Sequence, residues 1–292
     1  MLFKAIASAA VIFCFVTPAV ATVQPGDWTA EQERLLADAE ATLADNPNDA
    51  DAMIWKGRRL GYLGRNDEAI AILEAGERLH PDDARFARHI GHRFISLRRY
   101  QDAQSAFSRA AALSAHLPDQ VEPDGLPNTA GTPVSTLKGN IWYHLGFAHY
   151  LQGEFTASAR AYAGAAALAH NADAAAAALY WLYLSLRRAG DDDAAQEVLA
   201  RVDARWAPIE NGIYQELALC FRGQVDCDAI LTRARAAQGV DYATPVYGIA
   251  VQRLLAGDRT GARMLFEEII AREAGRPFGR LAAEMELQLL PQ

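Results

Sequence analysis

Apolar residues recur along this chain at the three-and-four spacing of one helix face, and short polar turns interrupt them where a strand would alternate. From Thr29 to Leu43 the stripe Leu35, Leu36, Ala39 and Leu43 predicts an N-terminal helix, with Thr29 and Gln32 spaced as a capping box. From Phe278 to Leu290 a second stripe, Leu281, Ala282, Met285 and Leu289, predicts a closing helix over the open end of whatever precedes it. Between the two the pattern repeats. Gly57 and Gly91, Ala69 and Ala103, Leu73 and Phe107, and Leu79 and Leu113 each stand 34 positions apart. A third copy keeps register after a 21-residue insertion, with Gly146, Tyr162 and Leu168 lying 55 positions beyond Gly91, Phe107 and Leu113.

Gly64, Gly153, Gly190, Gly223 and Gly257 punctuate the pattern as chain reversals. In Gly153-Glu154, Gly190-Asp191 and Gly257-Asp258 the reversal is followed by a carboxylate suited to the next helix N-terminus. Six helix hairpins follow from this spacing. The expected order is residues 1–21 as an export signal, 22–49 as a capping helix, 50–113 as repeats one and two, 114–137 as an insertion, 138–207 as repeats three and four, 208–275 as degenerate repeats five and six, and 276–292 as the closing helix.

These positions resemble the tetratricopeptide repeat (TPR) family, whose 34-residue helix-turn-helix carries a Trp, Leu-Gly, Tyr, Ala, Phe, Ala, Pro pattern. The third copy is the most similar, through Trp142, Leu145-Gly146, Tyr150, Gly153, Phe155, Tyr162 and Ala165, and Pro81 ends the first copy. Copies four and five depart from the pattern, with Tyr183 and Glu216 where a small residue belongs. The resemblance implies an all-α, right-handed α-solenoid of about six TPR-like hairpins with capping helices at both ends. It also implies that the first helix of each hairpin lines a concave groove, to which Trp55, Arg58, Arg88, His89, His92, Tyr143, His144, Tyr180 and Trp181 would contribute side chains. Trp142 falls at the family's packing position and is expected in the core.

An aromatic, imidazole and guanidinium stripe of this kind offers stacking faces, cation–π contacts and bidentate recognition of carboxylates. The competing expectation is that the Trp and Tyr members pack against the next helix. Charge sharpens the picture. The whole chain carries −8, which argues against a general nucleic-acid surface, whereas residues 51–113 hold eleven basic and eight acidic side chains. Residues 22–50 hold one basic against seven acidic. Hydrophobic residues at 51% and charged residues at 22% are those of a globular protein.

The first 21 residues place Lys4 before an apolar run from Ala5 to Val16, then Pro18 and Ala19-Val20-Ala21. This predicts a cleaved secretory signal, a mature chain beginning at Thr22 and a periplasmic location. Phe13 before Cys14 lacks the small residue that lipidation needs. No later segment is apolar for long enough to span a membrane, so the mature chain is not expected to be an integral membrane protein. Export leaves Cys220 and Cys227, which either pair or remain as two thiols.

The insertion holds Pro118, Pro123, Pro127, Pro133, Gly125 and Gly131, and is expected to be non-helical, either functional or disordered, and able to fold over the groove. No HExxH, GxSxG, GxxxxGK or CxxC occurs, so no catalytic residue or cofactor is assigned and a non-enzymatic role is preferred. His89 and His92 share a helical face near His144, yet no carboxylate or thiol clearly joins them, and no metal is assigned. The reading that follows is an exported scaffold binding a protein or peptide partner. Its rivals are a small-ligand or enzymatic protein whose insertion, with Asp119, Glu122 and Asp124, closes a pocket over Trp55, His89, His92, His144 and Trp181, and a helical scaffold that self-associates through its convex face.

Overall fold

The structure, a computed structural model, describes residues 25–273 and 277–290, with side chains from Trp28 onward. The expected export signal over 1–21 lies outside the described residues. Fourteen helices make up the described chain. They are α1 (Pro25–Asp45), α2 (Ala50–Tyr62), α3 (Asn66–Leu79), α4 (Ala84–Ser96), α5 (Tyr100–Ser114), α6 (Leu137–Tyr150), α7 (Phe155–Leu168), α8 (Ala172–Ala189), α9 (Asp192–Ala200), α10 (Gly212–Phe221), α11 (Cys227–Ala234), α12 (Val240–Leu255), α13 (Arg259–Arg272) and α14 (Phe278–Leu289). Pairs α2/α3 through α12/α13 are the six expected hairpins, and residues between α5 and α6 form the non-helical insertion.

Local chemistry accounts for the boundaries. The first helices of hairpins one to four open on side-chain caps: Asp49 accepts from the Ala52 amide, Asp83 from Arg85, Thr136 from Gly139 and Asn171 from Ala174. Hairpin turns place Gly64, Gly153, Gly190, Gly223 and Gly257 at positive φ, where a Cβ would be strained. The second hairpin has no glycine there, and Arg98 occupies the left-handed region at φ 60°. Thr29 is not a cap, because α1 already begins at Pro25. Gln32 instead is buried and accepts a hydrogen bond from Arg59 Nη1 at 2.9 Å.

The small residues of the 34-residue pattern serve one purpose. A Cβ on Gly57, Gly91 or Gly146 would fall within 3 Å of Leu73, Phe107 or Tyr162 of its own hairpin's second helix. Bulk at these crossings would force the paired helices apart, which explains why the glycine and its large partner keep the same separation in all three copies. Trp142, expected in the core, is instead half-buried on α6 at the core's edge, with its ring against Gly164 of α7.

The first helices of the hairpins pack side by side from α2 to α12, and α14 continues on α12 and α13. This layer curls on itself: α14 also reaches the turn after α4, where Arg98 pairs with Glu284 at 2.8 Å, and α8, where Arg188 pairs with Glu286 at 3.0 Å. The closing helix therefore does more than cover an open end, since it lies along the inner side of earlier repeats. Trp181 is the hub of the resulting core, with the rings of Phe147, Tyr150, Tyr162, Tyr180, Tyr214 and Tyr247 all within 6.4 Å. Cys220 and Cys227 are paired as a disulfide across the turn of the fifth hairpin.

Candidate functional site

The basic stripe begins on α2, where Trp55 and Arg58 are half-buried and the Arg58 guanidinium lies 4.4 Å from the centre of the Trp55 ring. The insertion crosses this surface as non-helical chain. Arg58 Nη1 donates to the Pro123 carbonyl at 2.8 Å, and Arg59 Nη1 donates to the Gly125 carbonyl at 2.8 Å. Gly125 sits so close against Arg58 and the Tyr62 hydroxyl that a Cβ there would push both side-chain ends aside. Hydrogen bonds at the start of α6 set this course: the Glu122 amide donates to Ser135 O, Leu137 donates to Gln120 O, and Asp119 accepts from the Lys138 amide.

On α4 the same segment delivers a carboxylate. Glu122, 7% exposed, faces Arg88 Nε at 3.2 Å through Oε2 and His89 Nε2 at 3.3 Å through Oε1. Asn140 Nδ2 donates to Glu122 Oε2 at 2.7 Å, so Arg88 is held chiefly by charge. His89 Nδ1 lies 3.0 Å from Arg88 Nη1, and since a guanidinium can only donate, that nitrogen accepts and the imidazole proton sits on Nε2 toward Glu122. Burial, reinforced by Arg88, holds His89 well below the usual histidine range.

The other two histidines are also neutral. His92 accepts from Arg93, and burial together with that guanidinium keeps its pKa well below normal. His144 donates from Nδ1 to the Asn140 carbonyl at 2.7 Å, and burial first, then Arg88, pulls it down to about 3. The positive charge of the stripe is therefore carried by arginine alone. Among the described residues, no group of three or more His, Cys, Asp or Glu side chains is placed to hold a metal ion.

Further along the layer, Phe278 of α14 covers the stripe. Its ring stacks on Phe147 at 4.0 Å and lies within 6.5 Å of His92, Tyr143 and His144. Tyr180 and Trp181, expected on the groove, are instead core residues at 1% exposure each. The curl of the layer brings α10 and α12 onto α8, so Tyr214 and Tyr247 cover the faces that a straight stack would leave open. Of the nine stripe residues, Trp55, Arg58 and His89 border a cavity of about 210 Å³, lined also by Asp51, Arg85 and Glu122. A second cavity of about 210 Å³ lies between α6 and α8, beside Asn140, Tyr143 and His144.

Sequence reasoning did not single out Arg59, Arg85 or Phe278. Arg85 joins Asp51 and Asp83, each at 2.6 Å, and Asp51 stands one 34-residue period before it, at the equivalent position of the first repeat. Phe278 was legible only as the start of a helix, because its contacts are with residues more than a hundred positions away.

No protein-family model matches the chain, and no curated protein matches it. Among solved structures, YrrB, a TPR protein with an unusual peptide-binding site, is similar over 86% of this chain and 98% of its own, at 15% identity and a TM-score of 0.46. The Naa15/Naa10 assembly bound to HypK-THB is similar over 87% of this chain at 14% identity and a TM-score of 0.41. This chain spans 36% of the length of the chain matched there.

Proposed function

We propose that this chain is an exported helical-repeat scaffold that binds a protein or peptide partner across α2 and α4. One observation carries the reading: residues 122–125 already lie across these helices as non-helical chain, held by arginine-to-carbonyl hydrogen bonds and one buried carboxylate. Carbonyls are present in every polypeptide, whereas the Arg88 contact selects an acid, so the surface reads extended backbone generally and a carboxylate specifically. Export is supported by the leader-like sequence before Thr22 and by the Cys220–Cys227 pair, of a kind common in oxidising compartments and rare in reducing ones.

Two measurements test this. Expression of the whole chain in a bacterial host, followed by fractionation and N-terminal sequencing, is expected to give a periplasmic product starting at Thr22. Probing the mature protein with an array of extended acidic peptides and their neutral amide counterparts is expected to give binding to the acidic set that Trp55→Ala and Arg58→Ala weaken. Equal binding to both sets would overturn the carboxylate reading.

A second reading has its own observation. The insertion roofs the cavity beside Trp55 and Arg58, which suits a small anionic or aromatic ligand that enters without moving the roof. Such a ligand would protect residues 118–133 from protease, whereas a protein partner reaching Arg88 must expose them.

A further inference from the structure

The segment over α2 and α4 is seated by polar groups and little else. Glu122 and Gly125 are buried, whereas Val121 is 59% and Leu126 53% exposed, so the larger apolar side chains of the segment face solvent. It also leaves the space beside Trp55 unfilled, although an indole face with a guanidinium stacked on it is the best anchor on this surface. An occupant of this kind covers the site without exploiting it.

Arg88 limits what can replace it. Its guanidinium is buried and permanently charged, and Glu122 is the carboxylate that faces it. His89 cannot share the charge because it is held neutral, and Arg58 and Arg93 add to the positive field. A neutral segment displacing the insertion would strand a buried cation, whereas a segment bringing its own carboxylate would restore the pair and could also fill the Trp55 space. The carbonyl acceptors for Arg58 and Arg59 come with any backbone. Displacement gives up the Val121–Thr136 bridge and the backbone bonds of Gln120 and Glu122 to the start of α6, while Asn128, which donates to Glu210 at 2.6 Å, and buried Val134, whose carbonyl accepts from Asn171 at 2.8 Å, keep the rest of the insertion anchored.

We propose that residues 120–126 are a built-in competitor for the binding surface, and that the partner is an extended polypeptide segment whose carboxylate replaces that of Glu122 at Arg88. This rests on the peptide-binding reading above and adds its regulation: the surface is closed until a stronger acidic segment displaces the internal one.

The probe is the labelled peptide Asp-Gln-Val-Glu-Pro-Asp-Gly-Leu-Pro, which is residues 119–127 of this chain, with a version carrying Gln for Glu as control. The host is the mature full chain with residues 120–126 exchanged for seven Gly/Ser residues, its fold checked by circular dichroism. This variant is expected to bind the probe at least tenfold more tightly than wild type does, and the Gln version at least tenfold more weakly than the Glu version. Should the exchanged chain fail to fold, Glu122→Gln in the intact chain is expected to show the same direction of change. Equal binding by wild type and variant, with the acidic peptide array still positive, would overturn the competitor and leave the scaffold reading standing. No binding by either protein to the probe or to any peptide of the array would overturn both.

Discussion

Arg88 of α4 and Glu122 of the insertion stand 3.2 Å apart with side chains no more than a tenth exposed, which makes the repeat surface and the segment that covers it one electrostatic unit. A buried pair of this kind contributes little net stability as a pair, because desolvating both ions offsets their attraction. Removing one partner is different, because it leaves a buried charge uncompensated. Glu122→Gln is expected to lower stability by about 3 kcal/mol or to let residues 118–133 lift away, which limited proteolysis would report as new cleavage there. Urea denaturation with an unchanged midpoint and unchanged proteolysis would show that the pair does not hold the insertion.

Trp55 and Trp181 separate surface from core. Trp181→Ala removes the ring on which six others pack and is expected to cost about 3–5 kcal/mol. Trp55→Ala, at a half-buried site, is expected to cost about 1 kcal/mol and to act mainly on binding. Thermal denaturation of the two variants side by side gives the order, and similar losses would contradict it.

At the helix crossings, two effects oppose each other. Gly146→Ala gains about 1 kcal/mol of helix propensity but drives a methyl into the Tyr162 ring, an overlap that costs about 1–3 kcal/mol. The overlap is expected to win because the ring is fully buried and has nowhere to move. A variant more stable than wild type in chemical denaturation would mean that the hairpin can open without loss.

Acid and neutral pH act on different groups. Glu286 is fully buried beside Tyr150, Tyr247 and Arg188, and burial raises its pKa to about 7 from a reference of 4.5. Its contribution is complete below pH 4.5 and is lost as pH rises to 7, by on the order of 3 kcal/mol. Glu286→Gln should remove that slope, whatever it costs through unpairing Arg188. His144 works in the opposite sense: with its pKa lowered to about 3, the stability present above pH 6.5 is lost as pH falls toward 3. His144→Asn should flatten the acid limb. Midpoints of denaturation across pH 3 to 8 check both, and parallel curves for wild type and the two variants would contradict the assignments.

The disulfide closes a short loop, and the chain-entropy relation gives it roughly 2.5 kcal/mol. Reduction, or Cys220→Ser with Cys227→Ser, is expected to lower stability by up to that amount without changing helix content. Intact mass under non-reducing alkylation should show no label on either cysteine in the mature protein.

How far the sequence speaks depends on the range of the interaction. The six hairpins, the turn glycines and the recurrence of Gly57, Gly91 and Gly146 and of Leu73, Phe107 and Tyr162 were legible because each is settled within one hairpin and recurs, whereas the contact of each glycine with its large partner was supplied by the structure. The capping box at Thr29 and Gln32 misled for the same reason read in reverse: the motif is local, but Gln32 is used by Arg59 of the next helix. Cys220 and Cys227 could be recognised as an eligible pair, and only their distance across the fifth hairpin decided the matter.

Periodicity by itself determined that the chain is all-α, where each hairpin begins and turns, and which residues share a helix face, since these follow from spacing along one helix and from the chemistry of its ends. Which faces are open was decided by tertiary structure alone. The small rotation between neighbouring hairpins is written in no single repeat, yet accumulated over six it brings α14 back to α4 and buries Tyr180 and Trp181, while the hydrogen bonds between the insertion and the start of α6 fit Glu122 against Arg88. Burial of apolar area and pairing of a buried charge act between residues far apart in the chain, so they appear only once the layer has closed.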